Sequence, residues 1–498
     1  MLRYRITLAI VVVALSAIAW SLPRMRRDLI KDMVTWDAPA SEPAPLPAGG
    51  GTGLAPVPRT RVVLIDGLTE DVAAALPSWS ALCKRGVTLK VDVGFPTISL
   101  PVEVALWTGL TQQQTGIMFR DRRPLVPALT NSIPAQVPRS IAVAEYYGWI
   151  VRSLGFAQTE PAADPTNVAK DANAERWKTE WEARALAVVT SDAPLAFVHI
   201  LRVDSAGHKH GTDARYARVA TEADTILGKL VAADPSARWF ALSDHGHVAA
   251  GGHGGEEVHV RQVQSCIAGP GITAGTVGAL VHVVDVARAI ADSTGVKLDP
   301  QSRGRPYRAA LATPLERDQA VPPMPLGSGA AAIFVLVAGF AAVTWGVRKW
   351  WLAPWWFVAG CASLFVFRGE PTLSMRMIYA PEGRDMWLTW LPAVALAVAA
   401  SVIGLRRTTI ARVVVAQMAL PLAAAAALIT VCGAWPAVFG EHVAPVVPRY
   451  TAWLSPILLM VAHGAAAVAL AGLATLVRPR SDRSSRPEPP RSEPAAAS

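Results

Sequence analysis

Trp239-Phe240-Ala241-Leu242-Ser243-Asp244-His245-Gly246-His247, running on to Gly251-Gly252-His253-Gly254-Gly255-Glu256, decides how the rest of the chain is read. Its first four residues form a short apolar run, the pattern of a buried strand. An Asp-His pair at a strand end, followed by glycines and another histidine, is metal-ligand chemistry on a tight loop. Carboxylate oxygen and imidazole nitrogen suit zinc, manganese or iron. The glycines let the backbone bend close to an ion and its substrate. A polar, Gly-rich surface loop would look the same in isolation, so the decision rests on whether other stretches supply further ligands.

Two stretches upstream do. Val62-Val63-Leu64-Ile65 is a continuous apolar run ending in Asp66-Gly67, and Ala196-Phe197-Val198-His199-Ile200-Leu201 leads into Val203-Asp204-Ser205-Ala206-Gly207-His208. Each reads as a buried parallel strand with a carboxylate at its C-terminal end. Between them, Phe95-Pro96-Thr97-Ile98-Ser99-Leu100-Pro101 leads into a helix predicted over 102–109. Further helices are expected over 71–85, 172–189, 213–232 and 285–294, the last of these closing the unit, and further strands over 88–93 and 264–268. Residues 121–190 are Pro-rich loops with one polar helix and read as a cap over the site. The alternation of strand and helix argues for an α/β domain of three layers, α/β/α, with its site at the carboxyl edge of the sheet.

The chain is 52% hydrophobic with a net charge of +9, and neither feature is evenly spread. Apolar residues concentrate at 8–20 and in the last third, where five segments (328–347, 352–367, 387–405, 413–438 and 452–477) have lengths near those that span a bilayer. The basic residues Arg348, Lys349, Arg406, Arg407 and Arg412, with the arginines of the tail from Arg478, fall in alternate loops as cytoplasmic segments would. Tryptophans 350, 351, 355, 356, 387 and 453 flank the segments as interfacial anchors. Membrane orientation therefore accounts for the charge, and no basic stripe interleaved with aromatics calls for a nucleic-acid partner. The four cysteines form no Cys-x-x-Cys, which excludes a thiolate zinc site, while Cys83 and Cys266 could pair in an oxidising compartment.

The expected organisation is an N-terminal anchor or signal anchor (1–27), a Pro/Ala/Gly-rich linker (28–60), a catalytic domain (61–317), a multi-span α-helical membrane domain of about five helices (326–478) and a disordered cytoplasmic tail (479–498). Whether 8–20 is retained or removed as a signal peptide is open at this level. Either way the catalytic domain is expected outside the cytoplasm.

Asp66, Asp204, His208, Asp244, His245 and His253 are thus six oxygen or nitrogen donors at strand ends and in the loops after them, and Ser99 is a hydroxyl at a helix start. Two three-ligand sets with a shared hydroxyl would make a site for two divalent metal ions. There a metal creates a nucleophile at neutral pH and the pair clamps the oxygens of an in-line displacement. Phosphoryl transfer is the chemistry such a set suits. Thr97 is an alternative nucleophile. His199, inside an apolar strand, reads as a packed core histidine. His210, His247 and His259 fall outside the donor pattern.

Taken together, Leu64-Ile65-Asp66-Gly67-Leu68, 95–101 with Thr108-Gly109 and Gly116-Ile117, 204–208, 243–255, and the later Ala268-Gly269-Pro270-Gly271-Ile272 resemble the alkaline phosphatase superfamily, in its phosphodiesterase/nucleotide pyrophosphatase branch. The resemblance runs from about Arg61 to Thr313. It implies an alkaline-phosphatase-like domain in which Asp204, His208 and His253 hold one zinc, Asp66, Asp244 and His245 hold the other, and Ser99 is the nucleophile and a bridging ligand. It implies a metal-dependent phosphodiesterase or pyrophosphatase acting through a phosphoserine. Where the branch has a phosphate-binding Asn near Arg120 this chain has none, so Arg120, Arg122 or Arg123 is expected to bind the substrate phosphate. Val102 and Thr115 also depart from the branch. The close spacing of His245 and His253, and the order of anchor, exported domain and membrane region, resemble the ethanolamine-phosphate transferases of glycolipid-anchor synthesis, which implies as alternative a transferase with a lipid or glycan acceptor and a lipid-linked substrate. A membrane scaffold with an inactive ectodomain is a third reading. A sulfatase is disfavoured, because its converted residue requires Pro two and Arg four positions on; Pro101 fits, but Glu103 stands in place of the Arg.

Overall fold

A computed structural model of the chain describes residues 2–35, 53–117, 129–146, 148–160, 174–249, 251–255, 257–313 and 315, and within the last third 337–339, 341–342, 395, 398–399, 401–406, 409–431, 461 and 464–477. A long helix α1 (Leu2–Thr35) opens the chain. The elements that follow are β1 (Thr60–Ile65), α2 (Glu70–Ala75), α3 (Pro77–Lys84), β2 (Gly86–Asp92), α4 (Ser99–Thr108), α5 (Gln112–Thr115), α6 (Ile133–Gln136), β3 (Ile141–Ala144), α7 (Gly148–Ser153) and β4 (Gln158–Glu160). Next come α8 (Ala174–Thr190), β5 (Leu195–Ile200), α9 (Arg202–His210), α10 (Ala214–Ala233), β6 (Arg238–Leu242), α11 (Val258–Arg261), β7 (Gln262–Ala268), β8 (Thr276–His282), α12 (Val283–Thr294) and α13 (Tyr307–Ala312). A last helix, α14 (Ile410–Val431), and the helix Gly464–Val477 lie in the final third.

The strands form one sheet in the order β4-β3-β5-β1-β6-β7-β2-β8. β1 pairs in parallel with β5 and β6, whereas β7 runs antiparallel to both β6 and β2. β1, β5 and β6 are buried along their whole length, which explains why they read as unbroken apolar runs: both faces of a central parallel strand are covered. Two cores lie on the two faces. One packs α4, α6, α7, α12 and α13 around Leu64, Trp107, Phe197 and Ile290; the other packs α3, α8 and α10 around Ile65, Trp79, Trp181 and Leu227. The disulfide Cys83–Cys266 joins α3 to β7. The architecture is the expected three-layer α/β/α domain with a mixed sheet.

Several local expectations are corrected. The helix expected over 71–85 is two helices, because Pro77 cannot continue the ladder of α2 and instead opens α3 as its first residue. The helix expected over 102–109 begins at Ser99. The described residues of 121–190 contribute β3, β4, α7 and α8 to the sheet and its flanking layers rather than a cap; these strands are too short to leave a period. β8 and α13 were not foreseen, and α13 follows the helix expected to be last.

Among the described residues one helix, Leu2–Ser21, is long and apolar enough to cross a membrane. The expected segment at 352–367 and the tail from 479 lie outside the described residues, as do the greater parts of 328–347 and 387–405 and residues 36–52 of the linker. α1 does not stand alone: Leu8, Val12 and Leu15 are buried against Leu405, Ile410, Val413, Ala465, Val468, Ala469 and Ala471.

Candidate active site

The register of the three central strands builds the site. Leu64 of β1 lies opposite His199 of β5 and Leu242 of β6, so the three strands end level at one edge of the sheet. Asp66 leaves β1, Asp244 leaves β6 one residue after Ser243, and Asp204 sits in the first turn of α9, which follows β5 almost directly. His208 is one turn further along α9, on the same face as Asp204. The loop after β6 brings His245 and His253 over the edge with their rings stacked at 3.6 Å. Ser99 enters from the N-terminus of α4 and places its hydroxyl 3.3 Å from His245 Nε2.

All seven residues expected to carry the chemistry are brought together. Asp66 Oδ1 and Asp244 Oδ2 lie 3.4 and 3.3 Å from His245 Nε2. Asp204 Oδ1 lies 3.3 Å from His208 Nε2 and 3.5 Å from His253 Nε2, and the two imidazole nitrogens are 3.1 Å apart. Two donors at tetrahedral angles, each about 2.0–2.1 Å from a zinc ion, would be separated by about 3.3–3.4 Å. The spacing of both sets therefore fits a divalent ion of that size, and both sets offer donor atoms within 4.8 Å of one another. Both oxygens of Asp66, Asp204 Oδ1 and Asp244 Oδ2 are buried without a regular hydrogen bond, the condition of atoms that await a cation, and Asp66, Glu103 and His199 form a further group of donors with metal-ligand spacing.

Hydrogen bonds sort the histidines. His253 Nδ1 lies 2.8 Å from the Thr97 carbonyl and His245 Nδ1 3.1 Å from that of Gly246. A carbonyl only accepts, so each ring carries its proton on Nδ1 and turns a lone pair on Nε2 to the cluster. His247 is arranged oppositely: its Nδ1 accepts from the Gly252 N–H at 3.1 Å, which leaves the proton on Nε2, 3.2 Å from Asp204 Oδ1. His247 Nε2 makes no hydrogen bond of regular geometry and completes a third group with metal-ligand spacing, Asp204, His245 and His247, but a ring that carries its proton on Nε2 has no lone pair there to ligate with. Thr97 is fully buried and donates to the Gly255 carbonyl while accepting from the Gly254 N–H, so its hydroxyl is engaged in holding the His253 loop.

Burial and mutual repulsion set the charges. Desolvation first, then the carboxylates of Asp244 and Asp204, push Asp66 well above the usual carboxylate range. Asp244 is raised to about 6, chiefly by burial. For Asp204 burial acts in the same direction, but His208, His247 and His253 around it outweigh burial and hold it well below the usual value. Burial pushes His245 down to about 4 and His253 well below its ordinary value, which keeps both rings in the neutral form that a metal requires.

Two buried groups were not read from the sequence as part of the site. Glu103, on α4 one turn after Ser99, is fully buried, and its Oε1 lies 3.3 Å from His199 Nε2. The same nitrogen is 3.3 Å from Asp66 Oδ2. His199 is as buried as expected, but it faces two carboxylates rather than apolar packing alone; these outweigh the downward effect of burial and raise it well above the usual histidine value. A lone Glu between Val102 and Val104 was the signal for this contact. Arg120, Arg122 and Arg123, expected on the substrate phosphate, lie outside the described residues.

No family model matches the chain, and no curated protein matches it in sequence. Solved structures similar to it include the murine ectonucleotide pyrophosphatase/phosphodiesterase 5, 14% identical with a TM-score of 0.39, over 49% of this chain and 96% of that one. A protein in the alkaline phosphatase superfamily from Vibrio parahaemolyticus is 15% identical with a TM-score of 0.38, over 58% of this chain and 79% of that one. A phosphonate monoester hydrolase from Silicibacter pomeroyi is 14% identical with a TM-score of 0.34, over 53% and 78% of the two chains.

Proposed function

We propose that this chain is a member of the alkaline phosphatase superfamily and a metal-dependent phosphoryl hydrolase that cleaves a phosphodiester or pyrophosphate through a phosphoserine at Ser99. One observation carries the reading: two Asp/His sets with metal-ligand spacing converge at one sheet edge, and Ser99 Oγ lies 3.3 Å from Nε2 of His245, a member of one of them. Asp204, His208 and His253 would hold one divalent ion and Asp66, Asp244 and His245 the other, with zinc the ion that the N/O donors suit. Bound there, the ions supply positive charge that acidifies the Ser99 hydroxyl and stabilises the oxygens of the phosphoryl group in flight.

The chain's own residues do the rest. Ser99 Oγ gives up its proton to solvent and forms a bond to phosphorus as the bond to the leaving oxygen breaks, and that oxygen takes a proton from solvent. Water then attacks the phosphoserine, which releases the phosphorylated product and restores the hydroxyl. α4 holds Ser99 at its first position, so the hydroxyl is fixed by a helix whose other residues are buried. The Cys83–Cys266 disulfide supports an exported domain, because such bonds persist in oxidising compartments.

A second reading has its own observation. α1 packs onto helices of the last third, an assembly larger than a hydrolase needs for anchoring alone. With that assembly in a membrane, a lipid or glycan hydroxyl would replace water and the chain would be a phosphoethanolamine-type transferase. Turnover of an aryl phosphodiester and of the matching monoester, with added zinc, separates the readings. We expect diester hydrolysis that falls at least about a thousandfold in Ser99→Ala with metal content unchanged. Hydrolysis indifferent to Ser99→Ala overturns the mechanism. No hydrolysis of either ester by a wild type that retains its metals selects the transferase.

A further inference from the structure

We propose that Glu103 and His199 form a buried positioning pair that fixes the second oxygen of Asp66 and ties it to the helix carrying Ser99. The inference rests on the two-metal reading of the site and adds residues that no part of that reading uses. His199 Nε2 lies 3.3 Å from Asp66 Oδ2 on one side and 3.3 Å from Glu103 Oε1 on the other. Asp66 and Glu103 are fully buried and His199 is 1% exposed. Both oxygens of Glu103, both nitrogens of His199 and Oδ2 of Asp66 are buried without a hydrogen bond of regular geometry, so the two 3.3 Å ion-pair contacts are what these groups have. A carboxylate placed inside an apolar helix without a partner would be strongly destabilising, so the contact with His199 is what makes Glu103 tolerable there.

The geometry assigns the pair a task. Asp66 turns Oδ1 toward His245, its partner in one metal-ligand set, and Oδ2 away from it toward His199. With the Nε2–H of His199 shared between Asp66 Oδ2 and Glu103 Oε1, Oδ2 is drawn away from an ion and Oδ1 is left to hold it. Glu103 then sets the His199 ring, and Glu103 is four residues after Ser99 on the same face of α4. Ligand strand and nucleophile helix are thereby locked to each other through two contacts. An ion in place of the N–H is less suited to this corner. The three residues are closed to solvent, whereas Ser99 and His208 are partly exposed and give the neighbouring sets an entry path.

The test uses the full-length protein in detergent and reads zinc affinity against a chromophoric chelator, zinc content per chain, and kcat and KM on an aryl phosphoester. His199→Leu and Glu103→Leu should each weaken zinc binding by about 10- to 100-fold and lower kcat by a similar factor, with KM within about threefold of wild type. The double variant should cost no more than either single change, because the two act as one unit. Glu103→Gln, which still accepts from His199, should stay within about threefold of wild type. If a leucine variant does not fold, His199→Asn withdraws the contact from a polar side chain and should show the same weakening. Wild-type zinc affinity in these variants overturns the pair. So does a rise in KM at constant kcat, or a third zinc in the wild type that both variants lose. Zinc binding is read without substrate, so a wild type that binds zinc but turns over no phosphoester removes the proposed reaction and leaves the pair to be judged on its binding constants.

Discussion

At His245, His247 and His253 a single question separates ligand from support: which ring nitrogen already holds a proton. Carbonyls facing Nδ1 of His245 and His253 free their Nε2 atoms, and the Gly252 N–H facing Nδ1 of His247 does the opposite. Replacing His253 with Ala should therefore remove one zinc equivalent, whereas His247→Ala should keep both and loosen binding by about 10- to 100-fold, the usual effect of losing a group that orients a ligand. Metal analysis after gel filtration checks this, and loss of a full equivalent in His247→Ala would reverse the assignment. The convergence of the six candidate donors and Ser99 was legible because Asp66, Asp204 and Asp244 stand just after apolar runs, His208 follows Asp204 by one helical turn, His245 and His253 lie in the Gly-rich loop after the last run, and Ser99 opens a helix. The division of labour among three histidines in one loop was not, since it depends on backbone atoms that no side-chain pattern records. Glu103 and His199 were legible only as oddities, a charge and an imidazole within apolar stretches.

Elements were readable where burial is two-sided and long. β1, β5 and β6 announce themselves as continuous apolar runs, while β3 and β4 are too short to leave a period, and the Pro77 break became visible only as two helices on one core. α12 shows how an element end can also carry pH dependence. His282 caps it: Nδ1 accepts from the Val284 N–H at 3.3 Å, while Asp285 accepts from the His282 N–H at 3.0 Å. Burial lowers the His282 pKa below its ordinary value. Below the ordinary histidine value the unfolded chain therefore binds a proton that the folded chain refuses. The stability from this cap is complete above that value and is lost as pH falls toward the folded one. His282→Asn keeps an acceptor at the cap and removes the titration, so its melting temperature should fall less than that of wild type between pH 7 and pH 5. His282→Ala should cost about 1 kcal/mol at pH 8. Parallel melting curves for wild type and His282→Asn across that range would show that the cap does not titrate.

At the scale of the whole molecule the open question from sequence was whether the N-terminal apolar run is kept or removed, and packing bears on it in a way composition could not. Leu8, Val12 and Leu15 fall on one face of α1, and that face is buried against residues from Leu405 onward. Gly472 makes the approach possible: a Cβ placed there would lie 2.5 Å from Val12 Cγ2, so a larger residue would push the helices apart. A removed signal peptide would leave Leu405, Ile410, Val413 and Val468 without that cover. The same built Cβ lies 4.0 Å from Val12 Cβ, inside the range that a disulfide spans. With Cys361 and Cys432 changed to serine, Val12→Cys combined with Gly472→Cys should therefore cross-link under mild oxidation. The product should be a full-length chain whose N-terminal helix stays attached after cleavage of the linker at an engineered protease site near residue 45. Neither single cysteine should do this. Formation of the link would make α1 a resident helix of the assembly and hold the catalytic domain to it at both ends. A mature chain that lacks residues 1–20, or a double cysteine that remains unlinked while its Cys83–Cys266 bond forms, would detach α1 from the assembly and return the N-terminus to the role of an export signal.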